Sequence, residues 1–527
     1  MHRIPRAAVL PRHGVYRSFT EFMDCSKYRI RNVWTVKGDG SEPQKAEVLV
    51  SLDGNILAAG GPFIGCGEVV DGNKRILSPG FIDAHGHSDI SVLAYPEGFS
   101  KASQGVTTEI AGNCGLSAFP LTDENREHLE ELYANYNYPF TWSDFTSYRK
   151  ALEKRACSPD VIPLCGHNTL RAAVAGYEKK TLSSSQLSLM KELLLRSLSA
   201  GSPGMSTGLL YVPGKFATDG EIIELMKVLA ATGKIYASHL RSEGDQLLES
   251  LENTLFCARQ AGLKKLQISH FKTALPQNWH KLSAAIEMIL QARSEGMEVT
   301  VDRYPYTESM TQLSVILPGD WGDMDDISIK KKLQSQEERL ELVKLLEQEK
   351  TADYWKRVRL ASTGADKYRQ YCGKLLCEIS EFPAETVVEL LAADAPGTCG
   401  AFSGMSSENL DRILQLDFCM PGSDGNALPG DYSAGRAHPR AFGTLPRFMR
   451  KLLDLNIPLG EAVRRATGLP SRTFGLADRG LLEAGKRADL TLWDPDELTD
   501  TADFASPHSP ARGIIFTMCS GNIVYRA

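Results

Sequence analysis

Two hydrophobic patterns divide this chain of 527 residues. From Lys27 to about Ser78 the apolar residues come in short alternating runs, YRIRNVWTV (28–36) and AEVLVSLDGNILAAG (46–60), broken by DG, GG and DGN turns. A period of two buries one face of a strand, so this segment predicts a small antiparallel β unit. From Ile76 to about Asp424 short apolar strands alternate with amphipathic helices. GVTTEIAG, DVIPLCGHN, GMSTGLLY, KIYASHL, KLQISHF and EVTVDRYPY read as strands. Apolar residues at three- and four-residue intervals predict helices over Gln186–Ala200, Glu221–Thr232, Gln246–Ala261 and Lys281–Glu295. Strand–helix alternation repeated this often means a parallel sheet, and its length favours closure into a (β/α)₈ barrel.

The tail returns to strand patterning at GLLEAGKRADLTLWD (480–494) and over Gly513–Tyr525. Neither terminal β segment is large enough to stand alone, so together they predict one β-sandwich. The expected organisation is therefore a lead-in over 1–25, a β-sandwich from 26–78 and 476–527, and an α/β barrel over 79–475. A helical insertion is expected at about 320–360, where IKKKLQSQEERLELVKLLEQEK (329–350) places charges at helical spacing, as on a solvated face.

Composition narrows the partners. Apolar residues make up 42% and charged residues 24%, with a net charge of −6. That balance suits a soluble globular protein and argues against nucleic-acid or membrane partners, which call for a basic face or an apolar run of about 20 residues. Eleven scattered cysteines without CxxC spacing predict free thiols in a reducing, cytoplasmic compartment. The first 20 residues hold four arginines and no acid but lack an apolar h-region, so a secretory signal is not expected.

Candidate chemistry lies at the strand ends. In FIDAHGH, His85 and His87 are two apart and can project to one side. Alone, the pair reads equally well as barrel-end histidines bonded to backbone. Spacing changes that: Cys114 lies 27 residues after His87, His239 ends KIYASH, His270 ends KLQISH 31 residues later, and Asp424 ends LQLDFCMPGSD. Each polar group closes a separate strand at about the length of one strand–helix unit. In a closed parallel barrel such ends converge on one face. Thiolate, imidazole and carboxylate together suit zinc better than magnesium or calcium, and Asp424 becomes the candidate general base.

These motifs resemble the amidohydrolase superfamily and, within it, the D-aminoacylase (N-acyl-D-amino-acid deacylase) family. The likeness rests on PGFIDAHGH, SQGVTTEIAGNCG, STGLLYVPG, HLRSEGD, ISHFK, DRYPYTES, GSDG, AHPRAFGT and DRGLLEAGKRADLTLWDP. The resemblance implies one tight zinc on Cys114, His239 and His270, and a second, weaker position from His85, His87, Asp424 and a bridging Cys114. It implies Asp424 as general acid/base, Tyr211 as the group polarising the scissile carbonyl, and Lys272, Tyr304, Arg440 and Thr311 as substrate contacts. The substrate it implies is a small N-acylated amino acid, hydrolysed to a carboxylate and a free D-amino acid.

Some positions depart from the family pattern. Gly86 stands where threonine or serine is usual, and reads as harmless. The loop between Asp424 and Arg440 is long, which makes Arg436 a competitor for Arg440. Leu317 lies near the place where acid-specific members carry arginine, favouring an apolar substrate side chain. His167 reads as structural, and His128, His280 and His508 as surface residues. A cyclic-amide hydrolase of the dihydroorotase or hydantoinase type is the rival enzyme, disfavoured because no lysine follows GMSTGLLY to bridge two metals. A non-catalytic scaffold predicts eroded ligands, and none is eroded.

Overall fold

The computed structural model describes residues 26–63 and 67–527; the expected lead-in over 1–25 lies outside them. Both chain ends contribute to one eight-stranded sheet. Ile76–Pro79 pairs antiparallel with Leu490–Trp493 and parallel with the end of Ser26–Thr35, and so joins the N-terminal strands to the C-terminal ones. The expected sandwich is thus a single continuous hydrogen-bonded sheet. Its apolar positions, including Ile30, Val48, Leu490 and Phe516, gather in one core drawn from both termini, which is why neither segment suffices alone.

Eight parallel strand positions form the barrel: Phe81–Asp83, Val106–Ala111, Asp160–Pro163 continued by Cys165–Gly166, Gly204–Gly208, Ile235–His239, Lys265–Ile268, Glu298–Arg303 and Cys419–Pro421. The ring closes where the last strand meets the first. The Ala84 N–H donates to the Pro421 carbonyl at 2.9 Å, and the Asp424 N–H donates to the His85 carbonyl at 2.7 Å. The four predicted helices form over Ser184–Ser199, Asp219–Thr232, Leu247–Ala261 and Leu282–Ser294. Ser183 and Thr218 cap the first two by accepting from backbone N–H groups three residues on. Left-handed glycines at 233 and 262 end the second and third.

The insertion is wider than the charge pattern predicts. Strands Glu308–Gln312, Val358–Ser362 and Cys399–Ser403 form an antiparallel sheet of their own, within a unit that reaches from about 308 to 403 rather than 320 to 360. The segment 329–350 is two helices, Asp326–Lys332 and Gln336–Glu349, not one solvated face. Ile329, Leu333, Leu342 and Leu346 are buried against Val387 and Leu391 of helix Pro383–Asp394. The exposed charges masked a narrow apolar stripe.

Candidate active site

The barrel brings all six ligand-type residues together. The donor atoms of His85, His87, Cys114 and Asp424 lie within 4.8 Å of one another, as do those of Cys114, His239 and His270. Cys114 is shared by both groups. Its Sγ is 3.4 Å from His85 Nε2 and 3.4 Å from His270 Nε2, while His87 Nε2 is 2.9 Å from Asp424 Oδ1.

Local backbone shape aims these side chains. Cys114, His270 and Asp424 have φ of 51°, 36° and 50°, the left-handed region that non-glycine residues seldom occupy. Each stands just past its strand, where the turn swings the side chain from the barrel wall over the mouth. Close approach is also required beside them: a Cβ on Gly208 would lie 2.0 Å from the Cys114 carbonyl oxygen.

Anionic groups crowd the cluster. Burial favours the neutral form of His85, His87 and His270. Asp302 and Cys114 outweigh it at His85, Asp424 and Cys114 at His87, and Glu243 and Cys114 at His270. All three are raised, His87 to about 9 and His270 to about 10. Burial opposes ionisation of Cys114, yet His85 and His270 hold its thiol well below the ordinary range. Asp424 is likewise depressed against its burial, chiefly by Arg440 and His87. Both ring nitrogens of buried His239 have no hydrogen-bond partner, an arrangement that is costly unless a further group binds there. Thiolate, imidazoles and carboxylate around one point fit a zinc-type dication.

The remaining predicted residues line the same cavity, of about 1260 Å³. Tyr211 Oη lies 3.0 Å from Thr311 Oγ1, and its ring meets His239 edge-on at 5.0 Å. Arg440, at the start of helix Arg440–Asp454, places Nη1 2.8 Å from Asp424 Oδ2 and donates through Nη2 to the Met310 carbonyl. Its guanidinium and that of Arg303 flank the ring of fully buried Tyr304, whose hydroxyl is unpartnered. Burial raises the Tyr304 phenol, but Lys272, Arg303 and Arg440 win and hold it below its ordinary value. Lys272 turns its ammonium toward Glu243 and the His270 carbonyl. Arg436, the expected competitor for the place of Arg440, donates instead to the carbonyls of Phe504 and Ala505.

The other histidines divide. His167 is structural, with Nε2 2.9 Å from Glu221, and His280 is exposed. The surface reading fails for two. His128 stacks on Tyr177 at 3.6 Å beside Asp325 of the insertion, and His508 is buried against Phe442 with its Nδ1 2.6 Å from the Asp431 carbonyl. Each is covered by an aromatic ring remote in sequence, Tyr177 for His128 and Phe442 for His508.

Three supporting features escaped the sequence reading. Asp302 lies 3.1 Å from His85 Nδ1 and accepts from the His270 backbone N–H at 2.8 Å, tying both donor groups together. Glu243 lies 2.8 Å from His270 Nδ1. Buried Lys101 joins Asp83 (2.7 Å), Glu109 (3.0 Å), Ser423 Oγ (2.8 Å) and the Gly425 carbonyl (3.0 Å). Asp302 follows the rule that flagged the other residues, a ligand-type side chain closing a strand, but its signal was hidden inside DRYPY. Gly86 is not a neutral departure either. A Cβ there would lie 2.1 Å from Glu109 Oε1, so the glycine makes room for the Lys101 network.

The amidohydrolase family model matches residues 68–301 and 435–525, the two stretches flanking the segment that holds the insertion. This chain belongs to the amidohydrolase family. Among its relatives, an N-acyl-D-glutamate deacylase of Alcaligenes xylosoxydans xylosoxydans is 31% identical, over 94% of this chain and 93% of the relative. A D-aminoacylase of the same organism is 32% identical over 93% and 92%. A solved N-acyl-D-glutamate deacylase from Bordetella bronchiseptica, complexed with zinc and a phosphonate mimic of the reaction's tetrahedral intermediate, superposes with a TM-score of 0.80. It is 30% identical and covers 95% of this chain and 97% of that one. Within this family the barrel mouth is the expected seat of chemistry, which is where the six donor residues converge.

Proposed function

We propose that this amidohydrolase hydrolyses the amide bond of N-acyl-D-amino acids, releasing a carboxylate and a free D-amino acid. The observation that carries the reading is the junction of two motifs: the Cys114–His239–His270 donor set lies beside Asp424, which itself touches Arg440. A metal centre and a carboxylate-binding guanidinium thus share one cavity. The D configuration and the zinc rest on the relatives, three of which are named for N-acyl-D-amino-acid or D-aminoacylase activity.

Cys114, His239 and His270 would hold the tight zinc, and His85, His87, Asp424 and bridging Cys114 a weaker second ion. Bound zinc supplies Lewis acidity and activates water at neutral pH. Asp424 accepts the proton of the attacking water and returns it to the leaving amine nitrogen. Tyr211 donates from its hydroxyl to the carbonyl oxygen as charge develops, steadied by Thr311. Arg440 and the free Tyr304 hydroxyl hold the α-carboxylate, and Lys272 adds positive charge on that side while supporting His270 through Glu243. With Leu317 in the wall and no arginine in the 311–321 stretch, an apolar substrate side chain is favoured. A bridging carboxylated lysine has no candidate after Gly204–Gly208, where Leu209, Leu210 and Tyr211 follow, which argues against the cyclic-amide reading. The nine cysteines among the described residues are free, and a reducing, cytoplasmic compartment suits a working Cys114 thiolate.

A panel of N-acetyl-D- and N-acetyl-L-amino acids tests the proposal by amine release. Release from D-substrates, lost on chelation and restored by zinc, is expected. Activity confined to L-substrates or to cyclic imides would overturn it.

A further inference from the structure

The cavity is polarised across the barrel axis. The strands run in chain order around the ring, and the last closes on the first. The loops after the seventh and eighth strands therefore face those after the third and fourth. On the first side stand Tyr304, Asp424 and Arg440, with Lys272 after the neighbouring sixth strand. On the facing side, after the second, third and fourth strands, half-buried Leu116, Leu132, Tyr133, Tyr177, Leu210 and Val212 line the same cavity.

Polar groups in that second sector are already engaged. Asn168 donates to the carbonyls of Gly208 and Tyr211, and Lys215 pairs with Asp323 at 2.6 Å; beyond the neighbouring fifth strand, Arg241 donates to the Ala217 carbonyl at 2.7 Å. Burial pushes His128, stacked on Tyr177, down to about 4, so it is uncharged at neutral pH. Among the described residues lining this sector, Lys215 is the one ammonium or guanidinium, and its pairing with Asp323 leaves none free for a charged acyl group such as a dicarboxylic half-amide. The space is also generous: about 1260 Å³ exceeds the roughly 300–1,000 Å³ of a drug-sized ligand site.

Resting on the deacylase reading, we propose that the wall formed by Leu116, Leu132, Tyr133, Tyr177, Leu210 and Val212 is an acyl subsite, and that the preferred substrates carry a long aliphatic or aromatic acyl group rather than acetyl. The direction follows from the chain's own residues. With the α-carboxylate on Arg440 and the scissile carbonyl beside Tyr211, the acyl carbon chain leaves on the Tyr211 side. Leu210 and Val212 flank Tyr211 in sequence, and Leu116 lies two residues beyond Cys114.

The test is kcat/KM of the zinc-loaded enzyme for N-acetyl-, N-butanoyl-, N-hexanoyl- and N-octanoyl-D-leucine. A rise of about fourfold per added methylene is expected over the first steps, the gain from burying one CH₂. Leu132→Arg should lower the octanoyl-to-acetyl ratio at least tenfold. Hydrolysis of the acetyl compound with a flat or falling series would sink the acyl subsite and leave the deacylase reading standing, whereas no turnover of any member would sink both. If Leu132→Arg leaves the ratio unchanged and instead alters the ranking of N-acetyl-D-amino acids, the wall serves the side chain and the proposal is wrong.

Discussion

Two buried clusters of charge lie side by side at the barrel mouth and behave differently. Around Lys101, Asp83 and Glu109, the charged groups meet opposite charges, hydroxyls or backbone: Ser423 and Ser88 donate to the carboxylates, and the ammonium has four oxygen partners. Around Cys114, polar atoms are left over: both nitrogens of His239 and the Tyr304 hydroxyl are unpartnered. The same strands build both, since Asp83 is two residues before His85, and Ser423 and Gly425 flank Asp424. A satisfied cluster rigidifies its surroundings. An unsatisfied one reserves its bonds for something else. The Lys101 network fixes the backbone from which Asp424 and the two histidines reach into the site.

Substitutions can break that contrast. The largest effect is expected for Asp424→Asn, which keeps the shape but removes the proton acceptor. A loss of about 10²–10⁴ in kcat, with one zinc per chain retained by elemental analysis, would place the chemistry on Asp424. Lys101→Met strands two buried carboxylates and should cost about 3–5 kcal/mol in urea melts. Zinc per folded molecule should change little; selective zinc loss at unchanged stability would contradict its role as framework. Asp302→Asn lies between the clusters. Loosening both His85 and the His270 backbone, it should weaken zinc retention against a competing chelator by about 10- to 100-fold, with a smaller shift in melting.

The smallest effect concerns Asp89, which is buried and accepts from the Gly112 N–H through one oxygen only, the other having no partner. Burial raises it to about 6, above the ordinary value of about 3.9 that it takes when unfolded. The folded state therefore holds this proton more tightly. The associated stability is present below about pH 4 and is lost as pH rises through 6. Asp89→Asn should flatten that fall and raise stability at pH 7.5 by about 1–2 kcal/mol. An unchanged pH–stability curve would show that Asp89 is compensated by a partner.

Much of this is legible in the sequence. The six donor-type residues are legible because they stand at five strand ends, His85 and His87 sharing one, and strand ends in a parallel barrel must share a face. Lys101 and Glu109 are not: inside SKASQGVTTEIAG they look like a helix-surface lysine and a strand acid, and only closure of the barrel drives them together. The insertion misled for the opposite reason. Its surface charges outnumber the few leucines that anchor it, so periodicity understated a core assembled from residues as distant as Leu313 and Ala395.

The sequence by itself determined the alternation of strands and helices, the chemistry available at each strand end, and the pairing of the two chain termini in one β unit. These depend on local periodicity and residue type, which a linear chain carries openly. The tertiary structure alone decided that Arg440 touches Asp424, that Gly86 makes room for Glu109, and that the cavity is cationic on one side and apolar on the other. Those facts depend on how loops and strand ends approach one another, and such distances exist only once the ring has closed, even for residues as near in sequence as Asp424 and Arg440.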